Sequence, residues 1–450
     1  MKTMMMMILR SGRSSRQLHT IISQETIKPS SPTPSHLHTY NLSPIDLFAM
    51  KAYLPLIFFY PKHPNCNLTF DHKSRLLKQS LSHSLTQYYP FAGRMSGPTS
   101  PSVDCNDDGV VFIEARTDTR LDTFLNLRQQ DETFYQLFAN DLASYSSPRN
   151  TSLVGVQLNH FACGGVGLAV SMSHVIGDGS TLGSFLSHWA SLARYGSIDH
   201  KQVQAFNPVF LHSPPIDSNP GRSSQPTAPD HTNVVSRKFV FPNSKLSELK
   251  NKVVSEGVNN PSRLEVLTSL LYRTAVASSV SGGFKKSCLF MMVNVRDKFV
   301  QKLPQSTIGN VASVMMIPSP TIGLTKESSL SMVVSEIKKH KLQLDGIESV
   351  QQVAEILNSN RSKLRNQRPE AAGDVLVWCS SLCGFPINKL DFGWGNPTGT
   401  IPAIRSLHKN GFMLIDTPDG DGIEAWVVME KQLMEVFENH KDLLPFCQTI

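Results

Sequence analysis

The chain has 450 residues, 40% of them hydrophobic and 18% charged, which suits a globular protein with chain enough for two cores. Its formal charge is +7, but Lys2, Arg10, Arg13 and Arg16 all precede the first acid, Glu25; the other 39 bases stand against 36 acids, too mild an excess to infer a nucleic-acid partner. Seven dispersed cysteines with no Cys-x-x-Cys pair argue for reduced thiols in a cytosolic setting rather than a disulfide framework, and no run of 18 apolar residues exists to span a membrane.

Residues 1–20 contain arginine and serine and no acid, so they read as an extension, disordered or targeting; the targeting version is a mitochondrial or plastid transit peptide, and otherwise the expected location is cytoplasmic. Tyr53 to Tyr60 reads as a buried strand with its proline near the start. Ser74 to Tyr89 is expected to be a helix, because Leu77, Leu81, Leu85 and Tyr88 share a face, and Pro90 ends it. A strand at Val110 to Ala115 and a short helix at Phe134 to Leu142 follow. Leu153 to Phe161 and Val166 to Ser173 are strands joined by Ala162-Cys163-Gly164-Gly165, a hairpin signal. Those glycines do not make a dinucleotide loop, since no helix opens there and no acid follows at the required distance. Ser180 to Tyr195 places Leu182, Phe185, Leu186 and Trp189 at i, i+3, i+4 and i+7, an apolar helix face that Ser180 or Asp178 can cap.

Residues 207–231 lack periodicity and carry five prolines beyond Pro208, which marks a crossover linker between an N-terminal domain, 21–206, and a C-terminal domain, 232–450. The second half reads as a strand at Arg237 to Phe241, helices at Asn243 to Ser255 and Ser262 to Ala277, and a strand at Cys288 to Val295 that delivers Arg296. Ser329 to Leu344 and Val350 to Leu364 look helical and largely solvated. Strands at Asp374 to Ser381 and Ile423 to Met429 and a helix at Glu430 to His440 complete the chain.

Two stretches carry chemistry. His174 follows a strand-like run and opens Ser173-His174-Val175-Ile176-Gly177-Asp178-Gly179, a position where the strand fixes the backbone and the turn exposes the ring. Spacing alone leaves four readings open. His174 is a core histidine beside a capping aspartate; it is half of a metal pair that lacks a third ligand; it belongs to a serine-type triad, for which no Gly-x-Ser-x-Gly elbow stands nearby; or it is a lone general base. Gly177 and Gly179 imply a tight turn with unusual backbone angles or the close approach of a ligand. The second stretch is Asp391-Phe392-Gly393-Trp394-Gly395. Its first three residues copy a kinase triplet, but no His-Arg-Asp loop accompanies them, so it reads as a glycine-rich turn with two aromatic anchors.

His-x-x-x-Asp-Gly in mid-chain with Asp-Phe-Gly-Trp-Gly near the C-terminus resembles the BAHD family of plant acyl-CoA-dependent acyltransferases. The resemblance covers residues 21–450 and includes Leu42-Ser43-Pro44-Ile45-Asp46, Tyr88-Tyr89-Pro90-Phe91-Ala92-Gly93-Arg94, Asn294-Val295-Arg296 and Gly309-Asn310. It implies an α/β fold of two pseudo-symmetric domains, each a mixed β-sheet packed with helices, like chloramphenicol-acetyltransferase-type enzymes. A piece after the second motif is implied to cross over and complete the first sheet. His174 then becomes the general base in a channel between the domains. Asp178 points away from that channel and pairs with Arg296, so Asp178, Gly179 and Arg296 support the active-site loop. Ser262 and Arg263 are candidates for contact with coenzyme A, and Asp391 to Gly395 is structural. Members often carry Thr/Ser-Ser-Trp-Cys before the second motif, whose tryptophan helps hold the oxyanion; here Ser380-Ser381-Leu382-Cys383 puts leucine in its place and leaves Ser380 as the oxyanion candidate. The implied reaction moves an acyl group, expected to be acetyl, from acyl-CoA to a hydroxyl of a small plant metabolite such as an alkaloid, terpenoid or simple alcohol. No metal and no bound cofactor are expected, and the chain is expected to act as a monomer. The alternatives are N-acylation of an amine and a non-catalytic small-molecule-binding homologue.

Overall fold

The computed structural model describes residues 19–63, 68–97, 101–125, 132–139, 142, 151–195, 207–211, 233–279, 287–318, 329–366, 375–403 and 409–449. Most of the extension and most of the linker lie outside these residues. Thr20, read above as part of the extension, is the first residue of a strand.

The first half contains β1 (Thr20–Ile27), β2 (Thr39–Asn41), β3 (Tyr53–Tyr60), α1 (Phe70–Gln87), β4 (Arg94–Met95), β5 (Ser102–Asp104), β6 (Val110–Thr117), α2 (Leu121–Leu125), α3 (Glu132–Tyr135), β7 (Val154–Phe161), β8 (Val166–Ser173) and α4 (Gly179–Tyr195). α1 starts four residues before the expected Ser74. The Thr69 hydroxyl accepts from the His72 amide at 3.2 Å, a cap that the polar first turn hides from an apolar-periodicity reading. The second half contains β9 (Val209–Phe210), β10 (Val234–Pro242), α5 (Asn243–Ser255), α6 (Arg263–Ser278), β11 (Ser287–Asn294), β12 (Thr307–Ile308), β13 (Ala312–Pro318), α7 (Leu330–Leu342), α8 (Val350–Asn366), β14 (Val375–Ser381), β15 (Gly399–Pro402), β16 (Gly411–Asp416), β17 (Gly422–Glu430), α9 (Lys431–Glu438) and β18 (Gln448–Thr449).

Two mixed sheets organise the chain. The first has the order β1-β6-β7-β8-β3-β15 and the second β13-β11-β14-β16-β17-β10-β18. β6 and β7 run parallel, as do β11, β14 and β16; the other pairs in these sheets are antiparallel. β15 comes from the second half yet pairs with β3, Gly399 opposite Phe59 and Pro402 opposite Leu56, so it closes the edge of the first sheet. The cores are shared in the same way. Trp426, Val428 and Ile415 of the second sheet lie in one apolar cluster with β3, β8, α1 and α4. α7 is not largely solvated: Leu330, Val333, Val334 and Ile337 are buried against the second sheet's helices and strands, because its apolar positions recur at helical spacing.

α4 sinks into the first core. Leu182, Phe185, Leu186 and Trp189 are buried, and the Trp189 indole N–H donates to the Leu77 carbonyl at 3.1 Å. His188 is buried beside them, its Nδ1 2.8 Å from the Ser84 hydroxyl, and burial pushes its pKa down to about 4. An unfolded histidine titrates near ~6.5. Between that value and about 4 the unfolded chain takes up a proton that folded His188 refuses. Its contribution is therefore intact above ~6.5 and is lost as pH falls toward the folded value, at about 1 kcal/mol per pH unit. Urea midpoints are expected to fall between pH 7 and pH 5, and His188→Gln is expected to flatten that slope.

Candidate active site

β8 ends at Ser173, and the backbone turns at once into a 3-10 turn, His174–Ile176. The His174 amide donates to the Ala52 carbonyl at 2.8 Å, and the His174 carbonyl accepts from the Asn310 Nδ2 at 2.8 Å. The residue behind the ring is thus gripped from both halves of the chain. The side chain stays half-buried, not sealed. Its Nδ1 is buried and has no hydrogen-bond partner among the described residues, so whatever part of the ring solvent reaches is not Nδ1.

Asp178 does not orient the imidazole. Its Oδ2 accepts from Arg296 Nη1 at 2.8 Å and from the Val311 amide at 3.0 Å. Its Oδ1 accepts from Arg296 Nη2 and from the Thr181 amide, each at 3.0 Å, the second bond capping α4. Ser180, the other capping candidate, instead sends its hydroxyl to the Gln305 carbonyl at 3.0 Å. Burial by itself raises the Asp178 pKa, but the Arg296 charge, its two hydrogen bonds and the two amides outweigh burial and hold the carboxyl below its ordinary value. Arg296 has 0% exposure and also donates to the Thr307 carbonyl at 2.8 Å. The glycines answer to packing rather than to strained angles. Gly177 is extended, at φ 170, and a Cβ there would strike Thr181; a Cβ on Gly179 would stand 2.6 Å from Leu382 Cδ2.

Sequence reasoning assigned no role to Gly309, Asn310 and Val311 or to Asp46, yet all four touch this loop or its supports. Gly309 exchanges bonds with Thr181, its amide donating to Oγ1 at 3.2 Å and its carbonyl accepting from it at 2.9 Å. Asp46 is buried and accepts from the Asn310 amide at 2.6 Å and from Asn310 Nδ2 at 2.8 Å. The available signal was an acid among apolar residues in Leu42-Ser43-Pro44-Ile45-Asp46, which no local helix or strand pattern explains.

The carboxyl end of β14 reaches the same place. Leu382 follows it and packs on Gly179 beside Phe385, at the first turn of α4. Ser380, one strand position before Ser381, is half-buried and makes no side-chain hydrogen bond among the described residues. Trp378 stacks on Phe290, ring centres 4.4 Å apart, on the neighbouring strand β11. Among the described residues, no group of three His, Cys, Asp or Glu side chains could hold a metal ion, and no helix is long and apolar enough to cross a membrane.

The model of the Transferase family matches residues 19–444 of the chain. The protein belongs to the BAHD family of acyltransferases. A deacetylvindoline O-acetyltransferase from Catharanthus roseus is 32% identical over 97% of this chain and 99% of its own. A 17,18-epoxy-17-hydroxycur-19-ene N-malonyltransferase from Strychnos nux-vomica is 34% identical over 96% of this chain and 90% of its own. The crystal structure of vinorine synthase superposes with a TM-score of 0.75 at 27% identity, covering 96% of this chain and 99% of that one. The two-sheet α/β architecture is therefore the BAHD fold, and the chain is an acyl-CoA-dependent acyltransferase.

The remaining candidates of this BAHD acyltransferase stand apart from His174 in the hydrogen-bond network. Ser262 caps α6 in a capping box, its hydroxyl accepting from the Glu265 amide at 3.2 Å while its own amide donates to the Glu265 carboxylate at 2.8 Å. Arg263, exposed at the start of α6, donates to Asn243 Oδ1 at 2.7 Å and pairs with Asp416 at 3.4 Å. Asp391 closes its own turn by accepting from the amides of Gly393 and Gly395 at 2.8 and 2.9 Å. Gly393 and Gly395 adopt φ +106 and +99, which favours glycine at both. Phe392 meets Trp189 edge-on with ring centres 5.0 Å apart, and Tyr60 donates to the Leu390 carbonyl at 2.9 Å, so the loop is tied to the first core. Arg194, at the end of α4, pairs with Asp391 at 2.5 Å while 45% exposed. Solvent screens such a pair, so Arg194→Ala is expected to cost no more than about 1 kcal/mol in urea unfolding.

Proposed function

We propose that this acyltransferase transfers an acyl group, acetyl being the expected donor group, from acyl-CoA to a hydroxyl of a small specialised plant metabolite. The observation that carries the reading is His174: a half-buried imidazole with its backbone held at both the amide and the carbonyl, beside a carboxylate fully engaged elsewhere. With Nδ1 turned into the protein, Nε2 is the nitrogen that takes the acceptor's proton. The acceptor oxygen attacks the thioester carbonyl, whose electron pair moves to the carbonyl oxygen. Collapse of that oxyanion breaks the C–S bond, and His174 returns the proton to the departing CoA thiolate. Both substrates are bound together, so the reaction needs no acyl-enzyme. Ser380 is the hydroxyl proposed to face the oxyanion, and Ser262 and Arg263 are proposed at the CoA mouth. The Catharanthus relative, an O-acetyltransferase by name, supports acetyl transfer to oxygen.

A second reading, transfer to an amine, is favoured by one finding: the Strychnos relative is an N-malonyltransferase by name. The test is thiol release from acetyl-CoA with matched alcohol and amine panels, followed by mass spectrometry of the acceptors. Acetylated alcohols are expected. Products confined to amines overturn O-transfer, and absence of thiol release with every acceptor favours a binding homologue.

A further inference from the structure

Asp46 is a buried carboxyl group with no cation paired to it among the described residues. It is 2% exposed and accepts three N–H bonds: the Ser43 amide on Oδ2 at 2.7 Å, and the Asn310 amide and Nδ2 on Oδ1 at 2.6 and 2.8 Å. Burying a carboxyl group costs several kcal/mol in general unless its hydrogen bonds compensate, and a neutral acceptor would serve an ordinary turn. The placement of this one is informative. Asn310 Nδ2 divides its two hydrogens between Asp46 Oδ1 and the His174 carbonyl, each at 2.8 Å. Gly309, at φ +114, lies against the same carboxylate, 3.4 Å from its Oδ1 to where a Cβ would stand. The 3-10 turn Asp46–Phe48 packs on the 3-10 turn His174–Ile176, and Ala52, a few residues on, accepts from the His174 amide at 2.8 Å.

We infer that Asp46 is a positioning residue for His174, acting through the Asn310 side chain. The carboxylate oxygen fixes which way the Asn310 amide faces: with Oδ1 of Asp46 accepting, the –NH₂ end must point toward it, and that leaves the second N–H aimed at the His174 carbonyl. A neutral amide at position 46 cannot do this without loss. Its oxygen can face either Asn310 or the Ser43 amide, and its own –NH₂ then meets a donor at the other. The imidazole's place relative to the reacting thioester is thereby set by a buried residue 128 positions earlier. This inference rests on the general-base reading of His174.

The test compares Asp46→Asn with Val253→Ala, a truncation of a buried side chain on α5, a helix that packs on α6, α7, β10 and β17. Each is assayed at a temperature well below its own unfolding midpoint, and histidine labelled at Cε1 is followed by NMR, with the His174 resonance assigned by its loss in His174→Gln. Asp46→Asn is expected to lower kcat at least tenfold with KM for acetyl-CoA within twofold, and to shift the His174 resonance. Val253→Ala is expected to leave both unchanged. A His174 resonance that Asp46→Asn leaves in place overturns the inference whatever the turnover does, as does a kcat within twofold of wild type. The resonance reports on Asp46 even if no acceptor is turned over, so failure of the proposed reaction is read separately.

Discussion

His174→Ala is expected to abolish measurable acyl transfer while leaving the fold intact. The ring's Nδ1 makes no hydrogen bond among the described residues, and the side chain is only half-buried, so its removal sacrifices little packing. What holds the turn is backbone, the amide to Ala52 and the carbonyl from Asn310, and an alanine keeps both bonds. The chemistry has no such reserve. A positioned general base contributes about 10²–10⁴ in rate, and among the described residues no second titratable group is hydrogen-bonded to Nδ1 to replace it. The measurement is initial rate of thiol release alongside thermal unfolding. A variant that keeps more than a tenth of wild-type rate removes His174 from the mechanism.

Asp178→Ala is expected to do the reverse, striking stability first. The substitution strands a guanidinium with 0% exposure and frees the amides of Thr181 and Val311 at once. Breaking one partner from a buried pair costs about 3–5 kcal/mol, a large share of the ~5–15 kcal/mol that holds a typical domain together. The double variant Asp178→Ala with Arg296→Met is expected to be more stable than Asp178→Ala alone, since no charge is then left buried. The pH dependence has a definite sign. The folded carboxyl titrates below its ordinary value, so its contribution is present above the unfolded pKa of about 4 and fades as pH drops through the folded one. Urea unfolding at pH 7 is expected to separate wild type from Asp178→Ala widely, and strong acid is expected to bring the two curves together. A loss under 1 kcal/mol at pH 7 would mean that the pair does not hold the loop.

Much of this was legible along the chain. The apolar spacing of Leu182, Phe185, Leu186 and Trp189 encodes α4, because four residues at helical period must share a face. Strands β3 and β8 read directly from unbroken apolar runs, since both faces of each are buried. The short strands β2, β4, β5, β9 and β12 left no such trace: two or three residues cannot display a period, and only their partners make them strands. The glycines were flagged for unusual angles or a ligand's approach, and the structure instead brings Thr181 and Leu382 against them.

What the chain order determined alone was local: where strands and helices run, where the imidazole leaves its strand, and the motif pair by which the family is recognised. What only the tertiary structure decided was which distant pieces meet. β15 closes a sheet begun over 300 residues earlier, and Asp46 bonds a side chain 264 residues away. The reason is physical. Periodicity is written by neighbours a few residues apart, whereas the orientation of a buried polar group is settled only when burial removes water and leaves it whatever partners the packed halves supply.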